Sequence, residues 1–275
     1  MGLRTLIVSG AGPESVAAIA EALRGLGHEP VAWICPPRPP EQIAGCAAGC
    51  PEGVDFLVPA SRQSMLPLTR AHEPDLLLCW GFPWLLSQEV LDVARLGSIN
   101  GHTSALPRHR GGQPWAWAVR DGDPEFGVTI HSMSASFDTG AILAQGTYRA
   151  DDAFQVQELI GEATACFLSL LAPAIARVEA GDPGEPQDES QASYAGAFGD
   201  DYIYADLALG ANELHRRTRA WRLLGQEVPL RGPIVELDGE QVRLRRTALA
   251  DPGEGARRVE TADGPLWILE EEPAF

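Results

Sequence analysis

Short apolar runs and helix-spaced apolar positions alternate in the first part of the chain. Residues 3–9 form a mainly apolar run that includes β-branched residues and ends at a glycine-rich turn, which predicts a buried strand. Residues 31–35 form the next such run, and the positions between the two runs recur at helical spacing: Val16, Ile19, Ala20, Leu23 and Leu26. A strand, a helix and a strand in this order predict a parallel sheet.

The middle of the chain continues this alternation. Residues 75–80 predict a fully buried strand, which ends at an apolar, aromatic loop, residues 81–87. A further strand is predicted to begin at Gly97. Asn100 and His102 alternate near its carboxyl end, so their side chains should point to the same side of the sheet. The remaining predicted elements are strands at 126–132 and 141–148 and helices at 87–95, 113–120 and 155–180.

The pattern changes after residues 181–200, which are rich in glycine, proline and acidic residues and predict a linker. One predicted helix, residues 211–223, is followed by short strand-like runs that turn residues separate: 234–237, 242–247, 257–261 and 266–269. We therefore expect an α/β domain with a mostly parallel sheet in residues 1–190 and a small β-rich domain in residues 201–275.

Composition restricts the partners. The 275 residues carry 38 acidic side chains against 21 basic ones, a formal net charge of -17, and every base is an arginine. Because nucleic-acid binding depends on neutralising phosphates with basic side chains, nucleic acid is an unexpected partner. We see no apolar run of about 20 residues and no signal peptide, which predicts a cytoplasmic protein without membrane contact. The five cysteines are scattered and complete no zinc set, so no metal is expected.

Three side chains that could act in catalysis lie where apolar runs end in the middle of the chain. Asn100 and His102 lie near the carboxyl end of one predicted strand, and Asp138 lies in the loop after another. Ligands of open α/β sheets bind outside the carboxyl ends of strands. An amide, an imidazole and a carboxylate at one such place would suit acyl transfer, which needs oxyanion donors and a proton carrier.

Other interpretations of single motifs are weaker. Asp138-Thr-Gly140 is similar to an aspartic-protease motif, but that chemistry needs two carboxylates and the motif occurs once. Ser104 lacks the Gly-x-Ser-x-Gly elbow of a serine nucleophile. Gly10-Ala-Gly12 lacks the third glycine of a dinucleotide-binding fingerprint, and a tight turn explains it.

The combined motifs resemble those of the folate-dependent formyltransferases. They are Asn-x-His-x-Ser-x-Leu-Pro-x-x-Arg-Gly from Asn100, Gly-Val-Thr-Ile from Gly127 and Asp-x-Gly-x-Ile-Leu from Asp138. The family includes methionyl-tRNA formyltransferases, glycinamide ribonucleotide formyltransferases and amino-sugar N-formyltransferases. The resemblance covers nearly the whole chain and implies a Rossmann-like catalytic domain followed by a small OB-like C-terminal domain.

The resemblance also implies a reaction and a site. A formyl group would move from N10 of 10-formyltetrahydrofolate to an amine, with no metal. Asn100 and protonated His102 would donate to the formyl oxygen, and Asp138 would hold His102 in its charged state. The pterin would lie between the loop at 81–87 and the loop before Asp138. The implied donor-binding residues are Trp84, Leu85, Leu86, Ser134, Ala135, Ser136, Phe137 and Asp138.

We expect the acceptor to be a small amine: an amino sugar, a modified amino acid or a natural-product intermediate. The tRNA enzyme of the family carries a basic insertion after its second strand, whereas residues 36–53 here hold Arg38 as their only base. Residues 200–275 have 10 arginines against 15 acids. Methionyl-tRNA formylation, hydrolysis of the donor and a non-catalytic folate-binding role stay open. The C-terminal domain could bind acceptor, form a homodimer contact or act as scaffold.

Overall fold

The computed structural model describes residues 2–149, 156–224, 232–253 and 255–274. By their contacts the residues group into two compact units. The first contains residues 1–110 and 125–193, and the second contains residues 111–124 and 194–275. Residues 111–124 thus group with the C-terminal part, although they lie inside the predicted range 1–190. The predicted domain ranges stay a prediction.

The helices and strands follow the predicted alternation, with two further helices between residues 40 and 71 and with the helix predicted at 87–95 shortened to four residues. In chain order they are β1 (Arg4–Ser9), α1 (Pro13–Gly25), β2 (Glu29–Ile34), α2 (Pro40–Ala48), β3 (Asp55–Leu57), α3 (Met65–Ala71), β4 (Leu76–Trp80), α4 (Gln88–Leu91), β5 (Ser98–His102), α5 (Pro114–Asp121), β6 (Phe126–Ser132), β7 (Ile142–Tyr148), α6 (Val156–Glu179), α7 (Ala211–Arg222), β8 (Ile234–Leu237), β9 (Glu240–Ala248), β10 (Arg257–Thr261) and β11 (Gly264–Pro273).

The first unit contains a seven-stranded sheet in the order β3-β2-β1-β4-β5-β6-β7. Strands β1 to β5 pair in parallel, β6 runs antiparallel to β5, and β7 runs antiparallel to β6. The central strand β4 is Leu-Leu-Leu-Cys-Trp and is buried along its whole length, as expected for a strand covered on both faces. The predicted α/β fold with a mostly parallel sheet is therefore confirmed.

Helix α6 corrects one sequence expectation. By length and composition it could cross a membrane, since an 18-residue window has a mean hydropathy of 1.8. The expectation that no run approaches membrane-spanning length is wrong for this helix. The structure accounts for its apolar residues differently: α6 packs on β6, β7 and α1 and buries Leu159, Phe167 and Leu171 completely. Its apolar face is thus part of the core of the first unit.

The second unit combines α5 and α7 with a four-stranded antiparallel sheet in the order β10-β11-β9-β8. Leu214 of α7 packs with apolar residues of this sheet, including Val235, Leu244 and Leu266. The predicted β-rich C-terminal part is confirmed, and the strands β9 and β11 extend beyond their predicted ranges. The more specific OB-like assignment stays a prediction.

Candidate active site

Strand β5 presents Asn100 and His102 on one side of the sheet and Gly101 on the other. A β-carbon at Gly101 would lie 2.5 Å from atoms of the Phe167 and Trp80 rings, which stack with their centroids 4.2 Å apart. Only glycine fits there without moving these rings. One side of β5 is thus packed tightly against the rings of Phe167 from α6 and Trp80 from β4. Its other side carries the two predicted catalytic side chains.

Asp138 reaches these side chains because of an unusual loop between β6 and β7. Its backbone has a φ of 53°, in the left-handed region, which aspartate tolerates better than most residues. Two positions later, a β-carbon at Gly140 would lie 1.7 Å from the carbonyl oxygen of Ser132. Only glycine therefore allows the backbone to approach Ser132 this closely. The turn brings the Asp138 carboxylate back over the end of β6.

The structure brings the three predicted catalytic residues together. Asp138 Oδ2 lies 3.6 Å from His102 Nδ1, and the Asn100 amide nitrogen lies 3.4 Å from Asp138 Oδ1. The side chains of His102 and Asp138 are only 8% and 10% exposed. At such low exposure the local dielectric is low, so charges and dipoles act more strongly on one another than in water.

His102 differs from its expected state. Its Nε2 lies 2.8 Å from the carbonyl oxygen of His109. Because a carbonyl only accepts, Nε2 carries a proton, and Nδ1 faces Asp138. Burial lowers the pKa of His102, the Asp138 carboxylate and the His109 carbonyl raise it, and the neighbouring His131 and His109 rings lower it. The net lowering favours a neutral imidazole at rest, whereas the family resemblance implied a protonated one.

His131 belongs to the same cluster, although the sequence analysis did not single it out. It lies opposite Asn100 in the antiparallel pairing of β5 with β6. Its Nδ1 lies 2.8 Å from the Ser132 carbonyl and so donates, which leaves Nε2 of a neutral ring to accept from the Asn100 amide at 3.1 Å. Nε2 also lies 3.5 Å from Asp138 Oδ1. Strand register would have located His131, but the sequence alone does not give the register.

A cleft of about 400 Å³, partly open to solvent, lies against Asn100, His131 and Asp138. The pair Phe82 and Trp84 packs edge to face in its wall, with ring centroids 5.6 Å apart. Seven of the eight implied donor-binding residues line it: Trp84, Leu85, Leu86, Ser134, Ser136, Phe137 and Asp138. Ala135 lies in the same loop but is not part of the lining.

Cys79 and Leu86 form the apolar floor of this cleft. Both are buried, and burial raises the pKa of the Cys79 thiol to about 12, so the thiol stays uncharged. Phe137 is 45% exposed and lies at the rim of the cleft. An apolar floor and aromatic walls beside a few polar groups would suit a flat heterocycle whose reactive end reaches the cluster around Asp138.

Comparisons with known proteins show which proteins the chain is similar to. The formyl transferase family matches residues 58–163, a range that includes Trp84, Asn100, His102 and Asp138. The methionyl-tRNA formyltransferase of Thiobacillus denitrificans is 30% identical over 272 residues, which cover 95% of this chain and 84% of that protein. The similarity therefore extends far beyond the motifs.

Solved structures share the fold at low sequence identity. HypX from Aquifex aeolicus, in complex with tetrahydrofolic acid, superposes on the whole chain with a TM-score of 0.68 at 18% identity, over 46% of its own length. WlaRD, a sugar 3N-formyl transferase in the presence of dTDP and 5-N-formyl-THF, gives a TM-score of 0.67 at 15% identity, over 98% of both chains. The relative from Thiobacillus denitrificans, 30% identical over 95% of this chain, establishes that the chain belongs to the formyltransferase family.

Proposed function

We propose that the protein transfers the formyl group of 10-formyltetrahydrofolate to the amine of a small molecule. The observation that carries the proposal is the cluster of Asn100, His102 and Asp138, of which Asn100 and Asp138 line the cleft and His102 lies beside Asp138. These are the groups that formyl transfer needs: a donor for the oxygen, a base for the amine proton and a carboxylate that stabilises the protonated base.

His102 is the proposed proton carrier. Its Nε2–H donates to the His109 carbonyl, so Nδ1 is the nitrogen that can take up a proton. As the amine nitrogen bonds to the formyl carbon, Nδ1 accepts the amine proton, directly or through a water molecule. The imidazolium that forms lies beside the Asp138 carboxylate, 3.6 Å away, which offsets part of its desolvation. His102 then returns the proton to N10 as the carbon–nitrogen bond of the donor breaks.

Asn100 is the proposed donor to the formyl oxygen. Its amide nitrogen has two hydrogens, of which one is directed to His131 Nε2 at 3.1 Å and the other to Asp138 Oδ1 at 3.4 Å. The second contact is long for a hydrogen bond, so a substrate oxygen that becomes negative can replace it at low cost. Loss of a comparable donor costs about 3 kcal/mol of transition-state stabilisation in other acyl-transfer enzymes.

The cleft supports a folate donor. Trp84 and Phe137 offer aromatic faces, and Leu85 and Leu86 offer apolar contacts near the acyl-transfer cluster. The similar fold of HypX, described in complex with tetrahydrofolic acid, and that of WlaRD, described with 5-N-formyl-THF, favour the same class of donor. Trp84, Leu85 and Leu86 would hold the heterocycle, and Ser134 and Ser136 would meet its polar edge.

Charge favours a small acceptor. The chain has a net charge of -17 and no lysine, and the one base in residues 36–53, Arg38, donates to the carbonyl of Gly10. A tRNA acceptor would require several free arginines near the site to neutralise its phosphates. An amino sugar, a modified amino acid or a natural-product intermediate makes no such demand.

Release of tetrahydrofolate tests the proposal. The enzyme is incubated with 10-formyltetrahydrofolate and a panel of amines, and His102→Ala is run as the inactive control. We expect release only when a suitable small amine is present. Release without any amine would instead identify a hydrolase. Absence of transfer to every small amine, together with robust transfer to methionyl-tRNA, would refute the small acceptor.

Methionyl-tRNA formylation is the second candidate, because the relative from Thiobacillus denitrificans carries that name and is 30% identical over nearly the whole chain. The dependence of the formylation rate on salt concentration distinguishes the two candidate functions. Formylation of tRNA should weaken steeply between about 50 and 200 mM salt, because counterions compete for the phosphates. Transfer to an uncharged small amine should change little over the same range.

A further inference from the structure

The segment after α6, predicted as a plain linker, reaches into the active-site region through Gln187. The side-chain nitrogen of Gln187 donates to two backbone carbonyls of the catalytic loop, that of Asp138 at 2.8 Å and that of Gly140 at 2.7 Å. The backbone of the segment is held beside the loop as well, since Glu185 and Ile142 exchange two hydrogen bonds at 2.8 and 2.9 Å. These contacts join parts of the chain that are far apart in sequence.

The loop needs such support. Asp138 is a non-glycine residue in the left-handed region, a conformation that persists only when its surroundings hold it. Several hydrogen bonds within the loop involve the Ser134 hydroxyl, are exposed to solvent and are 3.1 to 3.3 Å long. The two hydrogen bonds from Gln187 are shorter. They hold the backbone carbonyl of Asp138 itself and that of Gly140, two residues later.

Arg110 fixes which way the Gln187 amide points. Its Nε and Nη2 donate to the Gln187 side-chain oxygen at 3.0 and 2.7 Å, and its guanidinium also pairs with Glu189 at 2.8 and 3.0 Å. Arginine only donates, so the amide oxygen must face it and the amide nitrogen must face the loop. Arg110 is 6% exposed, so little water competes for these bonds.

The same contacts lead back to His102. The carbonyl that accepts from His102 Nε2 belongs to His109, the residue directly before Arg110. The residues along this path are covalent or hydrogen-bonded neighbours and form an almost complete ring: His102, His109, Arg110, Gln187 and Asp138. The gap in this ring is the 3.6 Å between His102 Nδ1 and Asp138 Oδ2, the distance on which the proton transfer depends.

We propose that Gln187 is a positioning residue that sets the Asp138 carboxylate against His102 before substrates bind. The role rests on the proposed function, because it explains how that reaction keeps its base and carboxylate aligned. Gln187 touches no substrate in this account. It acts through the backbone of Asp138 and Gly140.

Two substitutions at Gln187 remove its hydrogen bonds to the loop in different ways. Gln187→Glu keeps a partner for Arg110 but replaces the donating nitrogen with an accepting oxygen that faces two carbonyls. Gln187→Met keeps the length and removes all four hydrogen bonds. Gln191→Ala is the matched control, because Gln191 lies in the same segment, is exposed and bonds only weakly to Ser190.

We expect kcat to fall roughly 10- to 100-fold in both Gln187 variants, since a displacement of about 1 Å can cost that much. The KM for the formyl donor should stay within about twofold, because the wall formed by Trp84 to Leu86 is intact, and Gln191→Ala should behave like the unmodified enzyme. Unchanged kcat in Gln187→Glu would overturn the proposal, and that variant decides alone if Gln187→Met does not fold. A rise in KM without loss of kcat would also overturn it.

Titration of His102 by NMR gives a test that does not need turnover. Because the Asp138 carboxylate raises the pKa of His102, its displacement in Gln187→Met should move the titration to lower pH, in the same direction as Asp138→Asn. A His102 titration identical to that of the unmodified protein would show that the substitution left the pair in place. If no amine is ever formylated, the proposed function fails, while this titration still decides the role of Gln187.

Discussion

Replacing Gly101 with alanine tests whether β5 is held as tightly as its surroundings indicate. The new β-carbon would lie 2.5 Å from ring atoms of Trp80 and Phe167, whereas carbon atoms pack best at about 3.5 to 4.0 Å. One or both rings must therefore move by roughly 1 Å. Phe167 is completely buried and stacked on Trp80, so neither ring has free space. Overpacking of this kind destabilises by about 1 to 3 kcal/mol.

Thermal and urea unfolding measure the effect. For a unit of this size we expect Tm to fall by about 2 to 10 °C. The activity should fall as well, because Asn100 and His102 flank Gly101 and would move with the strand. If kcat falls at a temperature where the variant is still folded, the loss comes from displaced catalytic residues and not from unfolding.

Gly161→Ala is the matched control. Gly161 lies in the interior of α6, is exposed, and has nothing within 4 Å of its would-be β-carbon. The same chemical change should stabilise there by about 0.5 to 1 kcal/mol, because glycine is a poor helix former. Equal Tm and kcat for Gly101→Ala and the unmodified enzyme would refute the packing argument.

Three further predictions concern the site. His102→Ala should lower kcat by roughly 10²- to 10⁴-fold, as expected for loss of a general base, in a variant that is still folded at the assay temperature; rapid turnover by this variant would exclude the role. Activity needs neutral His102, whose pKa lies below its ordinary value, so kcat/KM should fall only as the pH drops through that lowered pKa. Asp138→Asn should move this acidic limb to still lower pH because the carboxylate that raises the pKa is gone, and a shift to higher pH would contradict the assignment. Trp84→Ala should raise the KM for the formyl donor by about 2- to 10-fold, the value of one aromatic stacking contact, with kcat little changed; fluorescence titration with a folate measures the same loss.

The pairing of Asn100 with His102 was predictable from strand alternation alone, because a period of two fixes which side chains share a side. The approach of Asp138 was not. It depends on a left-handed backbone at Asp138 and on the close contact of Gly140 with the Ser132 carbonyl, which no local pattern encodes. For Asp138 the sequence offered its place in the loop after a predicted strand and the family resemblance, but not its distance from His102.

His131 and Gln187 show where pattern reasoning ends. His131 lies on a buried strand and looks like an ordinary core histidine until the β5–β6 register places it opposite Asn100. Gln187 lies among glycine, proline and acidic residues whose composition predicts an irregular segment but not its contacts. Its hydrogen bonds to Arg110 and to the Asp138 loop span 77 and 49 residues, and tertiary folding alone creates them.

The fate of a labelled formyl group shows which acceptor the enzyme uses. The enzyme receives 10-formyltetrahydrofolate with a ¹³C-formyl carbon, a small amine acceptor and methionyl-tRNA together, and the label is followed by NMR and mass spectrometry. The proposed function predicts a ¹³C-formamide on the small amine, lost in His102→Ala. Label found on methionyl-tRNA, or as free formate at a rate independent of the amine, would contradict it.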